Sequence, residues 1–265
     1  MKFCARILII FYLLINTVVI SAEQSKQLTS LKPTLKMVYY EAFAPFSWRE
    51  NGNMKGILID IIDAAVVYKL KIPVSHTGLP WVRAQSLVKN NLADGFITVP
   101  TAERRQYTYV NATPVANWEV TLMTRKDHPK IEELKQVGTP LQLKGFRVGT
   151  NLGNGWAKEN LSQIELIETR TVEQLLQMVV ANRIDVIIHG RLEEAYYSQK
   201  LGYNNELVIL PNSFTIVPFN LCISKSSHYA DIIEKFESVI IEMHENGELK
   251  EIITKYLPES YLESQ

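Results

Sequence analysis

Val88-Lys-Asn-Asn-Leu-Ala-Asp-Gly-Phe-Ile97 and Val179-Val-Ala-Asn-Arg-Ile-Asp-Val-Ile-Ile188 present the same features in register: a helix end, an asparagine, an aspartate and a short apolar strand. A short apolar run of this kind after a helix reads as a strand buried on both faces, as in a parallel sheet covered by helices. Meeting that joint twice implies an α/β chain built from two similarly organised halves.

The surroundings of each joint agree. Before the first, residues 36–40 read as a strand, and residues 60–70 carry Ile61, Ile62, Ala65, Val66 and Leu70 at helical spacing. A strand at 72–76, a helix at 83–90 and the buried strand 95–99 complete a βαβαβ half. Before the second joint come a strand at 146–150, a segment at 165–167 and a helix opened by Thr171, which with Gln174 reads as a capping box. Strand 185–188 leads into a helix at 191–201, stopped by Gly202. Two further helices, 229–245 and 248–257, are separated by Asn246-Gly247 and are expected to return to the first half.

Ahead of all this lie Lys2 and Arg6, an apolar run over 7–20, and Ser21-Ala22 before Glu23, the three parts of a secretory signal. Residues 1–22 are therefore expected to be removed on export to the periplasm. The run falls short of the roughly 20 apolar residues a membrane span needs, and Asn16 and Thr17 interrupt it. Cys4 precedes the run and is lost with it, so it cannot carry a lipid on the mature chain. Of 265 residues the 243 that remain exceed the usual core of about 100–150, which favours two lobes. Without Lys2 and Arg6 the 28 basic residues become 26 against 28 acidic, a balance that argues against nucleic acid and against membrane phosphate. Cys222 is then the one cysteine, which excludes an intramolecular disulfide and a Cys-based metal site. The expected product is a freely diffusing monomer with no cofactor and no metal.

Three stretches together resemble the amino-acid-type, family 3, periplasmic solute-binding proteins of ABC transporters. They are Phe43-Ala-Pro-Phe-Ser47 with Asn51-Gly-Asn-Met-Lys-Gly56-Ile-Leu-Ile-Asp60, then Asp94-Gly-Phe-Ile97 leading into Thr101-Ala-Glu-Arg104, then the strand 217–224 feeding the helices of 229–257. The resemblance implies the type II periplasmic-binding-protein fold: two doubly wound α/β lobes joined by two crossover strands, with a small-molecule ligand held between them. Lobe 1 would be 23–120 plus 217–265 and lobe 2 would be 121–216, with crossovers near 118–124 and 213–219. An ABC transporter permease is the implied partner, and hinge closure around the ligand the implied mechanism.

The resemblance also nominates residues. Arg104 stands at the family's Thr-x-x-Arg position, where a guanidinium grips a ligand carboxylate by a planar two-point fork. Thr98 and Thr101 flank it, although the segment from Asp94 to Arg104 is two residues shorter than the common pattern and contains Pro100. Phe43 and Trp81 fall where aromatic walls enclose a flat or aliphatic group. Trp48 reads as structural and Arg83 as a solvated residue at a helix start. Asn154 and Trp156 lie in the strand-to-helix turn Gly149-Thr-Asn-Leu-Gly-Asn-Gly-Trp156, which lacks the Lys-Ser/Thr ending of a nucleotide loop.

One departure bears on the ligand. Amino-acid binders of this family carry an aspartate just after the strand that here starts at Asp185, and its carboxylate meets the ligand ammonium. Gly190 occupies that position, between His189 and Arg191. A standard α-amino acid is therefore disfavoured unless Glu193, Glu41 or Glu119 substitutes, since burying an ammonium without a counter-charge costs several kcal/mol. An acidic or neutral solute fits better. Two other function classes stay open: an enzyme on the same fold of the cyclic-acid dehydratase type, for which Glu41, Glu193 or His189 would be the acid–base candidates, and a sensor module for a membrane receptor. No His-Glu-x-x-His, Cys-x-x-Cys or Gly-x-Ser-x-Gly pattern occurs, so no catalytic residues are assigned.

Overall fold

The computed structural model describes residues 33–256, so the signal at 1–22 and the last residue of the helix expected at 248–257 lie outside the described residues. Strand β1 (Leu35–Tyr40) is followed by a small antiparallel sheet of β2 (Ala42–Phe43), β3 (Ser47–Glu50) and β4 (Asn53–Lys55). Helix α1 (Ile57–Ile62) begins directly after Gly56, whose φ of 123° suits glycine, and a Cβ there would stand 2.5 Å from the Phe46 carbonyl oxygen. The helix continues as a π-helical segment, Asp63–Lys69, where the Leu70 N–H reaches back five residues to the Ala65 carbonyl at 3.1 Å. Next come β5 (Val74–Leu79), α2 (Trp81–Lys89), β6 (Gly95–Thr98), α3 (Ala102–Tyr107), β7 (Thr108–Val110) and the long β8 (Ala116–Arg125). After α4 (Ile131–Lys135) and a 3-10 turn, Pro140–Leu143, the order is β9 (Val148–Asn151), α5 (Gly155–Asn160), β10 (Leu166–Thr169), α6 (Val172–Val180), β11 (Val186–Gly190) and α7 (Arg191–Leu201). The chain ends in β12 (Leu207–Ile209), the long β13 (Thr215–Ser224), α8 (Ile232–Glu245) and α9 (Glu248–Thr254).

The strands follow the path β10-β9-β11-β8-β13-β6-β1-β5, with β12 added to β8 and β7 to β13. This is the mixed α/β class expected. Within the path, β1 lies parallel to β5 and β6, and β9 lies parallel to β10 and β11, so each predicted half contributes a parallel triplet. Between the triplets, β8 and β13 pair antiparallel from Thr215↔Val120 to Phe219↔Ala116. From there β13 runs on along β6, and β8 along β11. The two stretches read as extended crossovers, 118–124 and 213–219, overlap the mutually paired parts of the two longest strands, 116–120 and 215–219, while residues 121–124 pair with β11.

Both joints keep the expected register in detail. Asn91 and Asn182 take left-handed φ values of 59° and 56°, reversing the chain after α2 and after α6. Asp94 then accepts the Lys36 N–H at 2.7 Å, and Asp185 accepts the Arg147 N–H at 2.8 Å, so each aspartate holds the start of its neighbouring strand. Strands β6 and β11 are buried along their whole length. Helices α8 and α9 return to the first half through Lys69 to Glu242 (2.9 Å) and through Lys255 and Tyr256 to Asp60 (2.8 and 2.7 Å).

Some local expectations are corrected. The strand placed at 72–76 begins two residues later, because Lys71 has a φ of 57° and Pro73 has no N–H to give a ladder. The helix placed at 60–70 begins at Ile57, and the one at 83–90 begins at Trp81 directly after Pro80. Thr171 caps α6 by accepting the Gln174 N–H at 3.2 Å, but Gln174 Oε1 takes the Arg170 N–H instead of completing the box. A reciprocal box forms elsewhere, between Thr139 and Gln142. Among the described residues no helix is long and apolar enough to cross a membrane.

Candidate functional site

The carboxyl ends of β1, β6 and β9, the shared stretch of β8 and β13, and the first turns of α2 and α5 line a half-open cavity. Its open volume is about 50 Å³. Seven of the sixteen lining residues are aromatic: Tyr39, Tyr40, Phe43, Trp81, Trp118, Trp156 and Phe219. The polar part comes from Ser47, Thr98, Asn151 and Asn154. Arg104 is the one charged residue in the lining.

Arg104 is presented by α3, whose first turn is capped by Thr101: its hydroxyl accepts the Arg104 N–H at 3.4 Å. The side chain is only 3 % exposed. Its guanidinium donates to the Val99 carbonyl (2.8 Å), to Thr98 Oγ1 (3.3 Å) and, from Nε and Nη2, to Gln85 Oε1 (3.2 and 2.9 Å). The guanidinium also lies over the Trp81 ring, 5.2 Å from its centroid. All these partners are neutral, and no carboxylate pairs with it among the described residues. Burial consequently pushes its pKa below the ordinary arginine value. Gly155 faces it across the cavity edge, where a Cβ would come within 3.0 Å of Nη2.

The opposite wall is a continuous aromatic layer. Trp118 stacks on Phe219 (6.1 Å, 20°) and meets Trp156 and His189 edge-on at 6.4 and 5.6 Å. Phe43 stacks between Tyr40 and Phe46 at 5.7 and 5.3 Å. Asn154 caps α5, its Oδ1 accepting from Ala157 N (3.1 Å) while its Nδ2 donates to Thr150 Oγ1 (3.0 Å). The Tyr39 hydroxyl is bonded to His76 Nδ1 at 2.9 Å, and His76 Nε2 to Asp63 at 3.1 Å.

Behind this wall sits a second buried polar group. Trp118 Nε1 donates to Glu193 Oε1 at 2.6 Å, and His189 Nε2 bonds to Asn151 Oδ1 at 2.8 Å. His189, Glu193 and Glu194 are all 0 % exposed. Glu193 Oε2, both Glu194 carboxyl oxygens and His189 Nδ1 have no hydrogen-bond partner among the described residues. Burial pushes the Glu193 carboxyl up to about 8, lifts Glu194 well above the carboxylate range, and pushes His189 down to about 3. Burial thus favours the protonated carboxyls and the neutral imidazole.

Six of the nine residues nominated from the sequence line the cavity: Arg104, Phe43, Trp81, Thr98, Asn154 and Trp156. Three do not. Thr101 is spent on the cap of α3. Gly190 has no room: a Cβ on it would lie 1.9 Å from Trp118 Nε1 and 2.3 Å from Glu193 Oε2. Arg191 is turned to Glu119, which it meets by two points at 2.7 and 3.1 Å. Trp48 packs on Tyr196 and Tyr256, outside the cavity. Of the lining residues that sequence reasoning passed over, Trp118 and Phe219 lie in the expected crossovers, and Tyr39, Tyr40 and Asn151 lie at strand carboxyl ends, where ligands of open α/β sheets collect.

Comparison with known proteins agrees with this geometry. A histidine kinase sensor domain with similarity to periplasmic binding proteins is similar at 17 % identity, with 86 % of this chain and 97 % of that one covered and a TM-score of 0.75. The arginine-, lysine-, histidine-binding protein ArtJ from Geobacillus stearothermophilus gives 18 % identity, 88 % and 100 % coverage and a TM-score of 0.70. The ancestral amino acid-binding protein AncCDT-1, a precursor of cyclohexadienyl dehydratase, gives 21 %, 85 % and 96 %, and 0.69. At these identities the likeness is one of fold. No curated protein sequence matches. The sequence model of the bacterial extracellular solute-binding proteins, family 3, matches residues 35–259, nearly everything from β1 onward. A cavity at strand ends beside two shared strands, in a chain matched over that length, makes this protein a member of the bacterial extracellular solute-binding proteins, family 3.

Proposed function

We infer that the protein binds a small carboxylate-bearing solute, with the carboxylate on Arg104 and a flat or apolar body against the aromatic layer. The observation that carries this reading is a guanidinium that is 3 % exposed, lines the cavity and has no acidic partner among the described residues. A buried cation is costly until a counter-charge reaches it, so an anion entering the cavity recovers the missing interaction. Trp81 below the guanidinium, and Thr98, Val99 and Gln85 beside it, fix its plane and leave one Nη2 N–H to reach a ligand carboxylate.

In this reading the chain is exported, folds as a lobe of 23–120 with 217–265 and a lobe of 121–216, and closes on its ligand by bending at the paired stretches of β8 and β13. It then delivers the solute as a monomer to an ABC importer. A purely catalytic role is less well supported, because the acid–base candidates do not reach the cavity: Glu41 is paired with Arg49 at 3.0 Å, and His189 and Glu193 are sealed behind Trp118. A thermal-shift screen of small carboxylates tests the assignment, since a ligand bound only by the native state raises apparent stability. The same screen on Arg104→Ala is expected to lose the shift, and an undiminished shift would remove the carboxylate from that position.

A further inference from the structure

The Trp118 wall of the cavity is backed by two buried carboxyl groups, Glu193, which the sequence offered as a substitute for the acid absent at position 190, and Glu194. We propose that Glu193 is a selectivity residue that acts through Trp118, holding a proton in the empty protein and so disfavouring solutes that carry an ammonium beside their carboxylate. This rests on the carboxylate reading above and names the class more narrowly: carboxylates whose second group is neutral.

The geometry supplies the reason. Gly190 has no side chain, and the space beside it is filled by the Trp118 indole nitrogen and by the Glu193 carboxyl reaching back from the first turn of α7. Glu193 Oε1 accepts from Trp118, whereas Oε2 has no partner. Every charged or titratable group around it fails to offer a cation. On α7, Glu194 is equally buried and both its oxygens are orphaned, so two ionised neighbours would repel without water or counter-ion. Arg191 is committed to Glu119 on β8. On β11, His189 Nδ1 lies 3.6 Å from Glu193 Oε1, but its ring is buried and Nε2 is held by Asn151. Tyr197, one turn along α7, accepts the Ala44 N–H at 3.3 Å.

A protonated Glu193 leaves the Trp118 wall without negative charge. A carboxylate with a neutral second group enters with no change of protonation. An α-amino acid gains a counter-charge only when Glu193 gives up its proton to solvent, O–H breaking and the electron pair staying on the carboxylate. The release is favoured above about pH 8, the value to which burial pushes this carboxyl. Below that pH, amino-acid affinity is expected to rise about tenfold per pH unit and then level off.

Two experiments decide it, one without ligand. In the free protein, the proton held by Glu193 makes stability fall as pH rises from the ordinary glutamate range to about 8. The unfolded chain has already lost that proton while the folded chain keeps it. Glu193→Gln, a neutral isostere, should flatten that decline. Carbon-labelled wild-type protein should show a glutamate carboxyl titrating near 8 by NMR, a readout that survives if the variant fails to fold. An unchanged slope together with no such carboxyl overturns the proposal. Second, matched probes are titrated calorimetrically from pH 6 to 9: L-phenylalanine against hydrocinnamate, and L-glutamine against glutaramate. The expected result is a deaminated acid bound more tightly at pH 7 and independently of pH, with the gap closing as pH rises. In Glu193→Gln the amino acid should lose that pH dependence. Amino-acid affinity that is higher at pH 7 and flat with pH overturns the proposal. If no probe binds at any pH, the carboxylate reading fails and takes the selectivity claim with it, while the NMR titration separately reports whether Glu193 holds a proton.

Discussion

The joints at Asn91–Asp94 and Asn182–Asp185 are the same device used twice, yet the residues that follow them have opposite chemistry. Each has a left-handed asparagine after a helix, an aspartate holding a neighbouring strand, and a fully buried strand. Past β6 the chain delivers Arg104, a buried guanidinium with no acidic partner among the described residues. Past β11 it delivers Glu193 and Glu194, two buried carboxyls that no cation among the described residues pairs with. The repeated part supplies scaffold, and the few residues after each strand supply the site.

The largest expected effect comes from breaking the cationic side. Arg104→Ala should weaken carboxylate binding on the order of a hundredfold, since truncating one partner of a buried charge pair costs about 2–5 kcal/mol. The measurement is the ligand-dependent thermal shift. If Gly155→Ala, which would press on Arg104 Nη2, loses binding as well, the guanidinium's placement matters as much as its charge.

How far the two joints were readable follows from what kind of physics set each feature. Helix α7 was legible to the residue because Gly202, at φ 75°, is a local stop that no tertiary contact overrides. Strand β6 was legible because four buried residues in a row leave few alternatives. The β2–β4 sheet and the short helix α3 were missed, being held by tertiary packing and a single cap at lengths where periodicity carries little signal, while only the start of α5 was read, as the end of a strand-to-helix turn. In the site, Arg104 and the aromatic walls were reached through resemblance. Residue 190 was read as a vacated acidic position with Glu193, Glu41 and Glu119 as possible substitutes, and that Glu193 is the one in that space depends on how α7 leaves β11, which no linear spacing reveals.

The two buried strands start differently, with Gly95 where the second joint has Val186. A Cβ at 95 would meet the Cys222 carbonyl oxygen at 2.5 Å, a backbone atom that cannot swing aside. Gly95→Ala should therefore cost about 3 kcal/mol by overpacking, read from the urea midpoint, although the matching position tolerates valine. A loss near zero would mean β6 and β13 can separate, and the likeness of the two strands would then be looser than the register implies.

Next in size is the aspartate of the second joint. The Arg147 guanidinium holds Asp185 down to about 2, from an ordinary aspartate value of 3.8, so the stabilisation is present above 3.8 and is lost as pH falls through 2. Asp185→Asn should cost about 2 kcal/mol at pH 7 and remove that acid-side dependence. Asp94→Asn keeps no such arginine contact to lose. It should cost about 1 kcal/mol, from the Lys36 N–H and the Ser227 hydroxyl. Equal losses would show that the ion pair to Arg147 adds nothing beyond the backbone bond.

The smallest effects separate backbone from side chain at the asparagines. Replacement by alanine keeps a Cβ in the left-handed region but removes the amide that makes it tolerable, and should cost about 1 kcal/mol at each site. Glycine removes that strain, so any remaining loss reports the amide. Asn182 offers its Oδ1 to the exposed Arg147 side chain at 3.1 Å, and Asn182→Gly should be near neutral. Asn91 Oδ1 accepts from Ser224 Oγ at 2.7 Å, and Ser224 is 2 % exposed, so Asn91→Gly should still lose about 1 kcal/mol for the hydroxyl it strands. Matched unfolding curves for the two glycine variants measure this difference. A larger loss at 182 would reverse the assignment of which joint relies on its amide and which on its backbone alone.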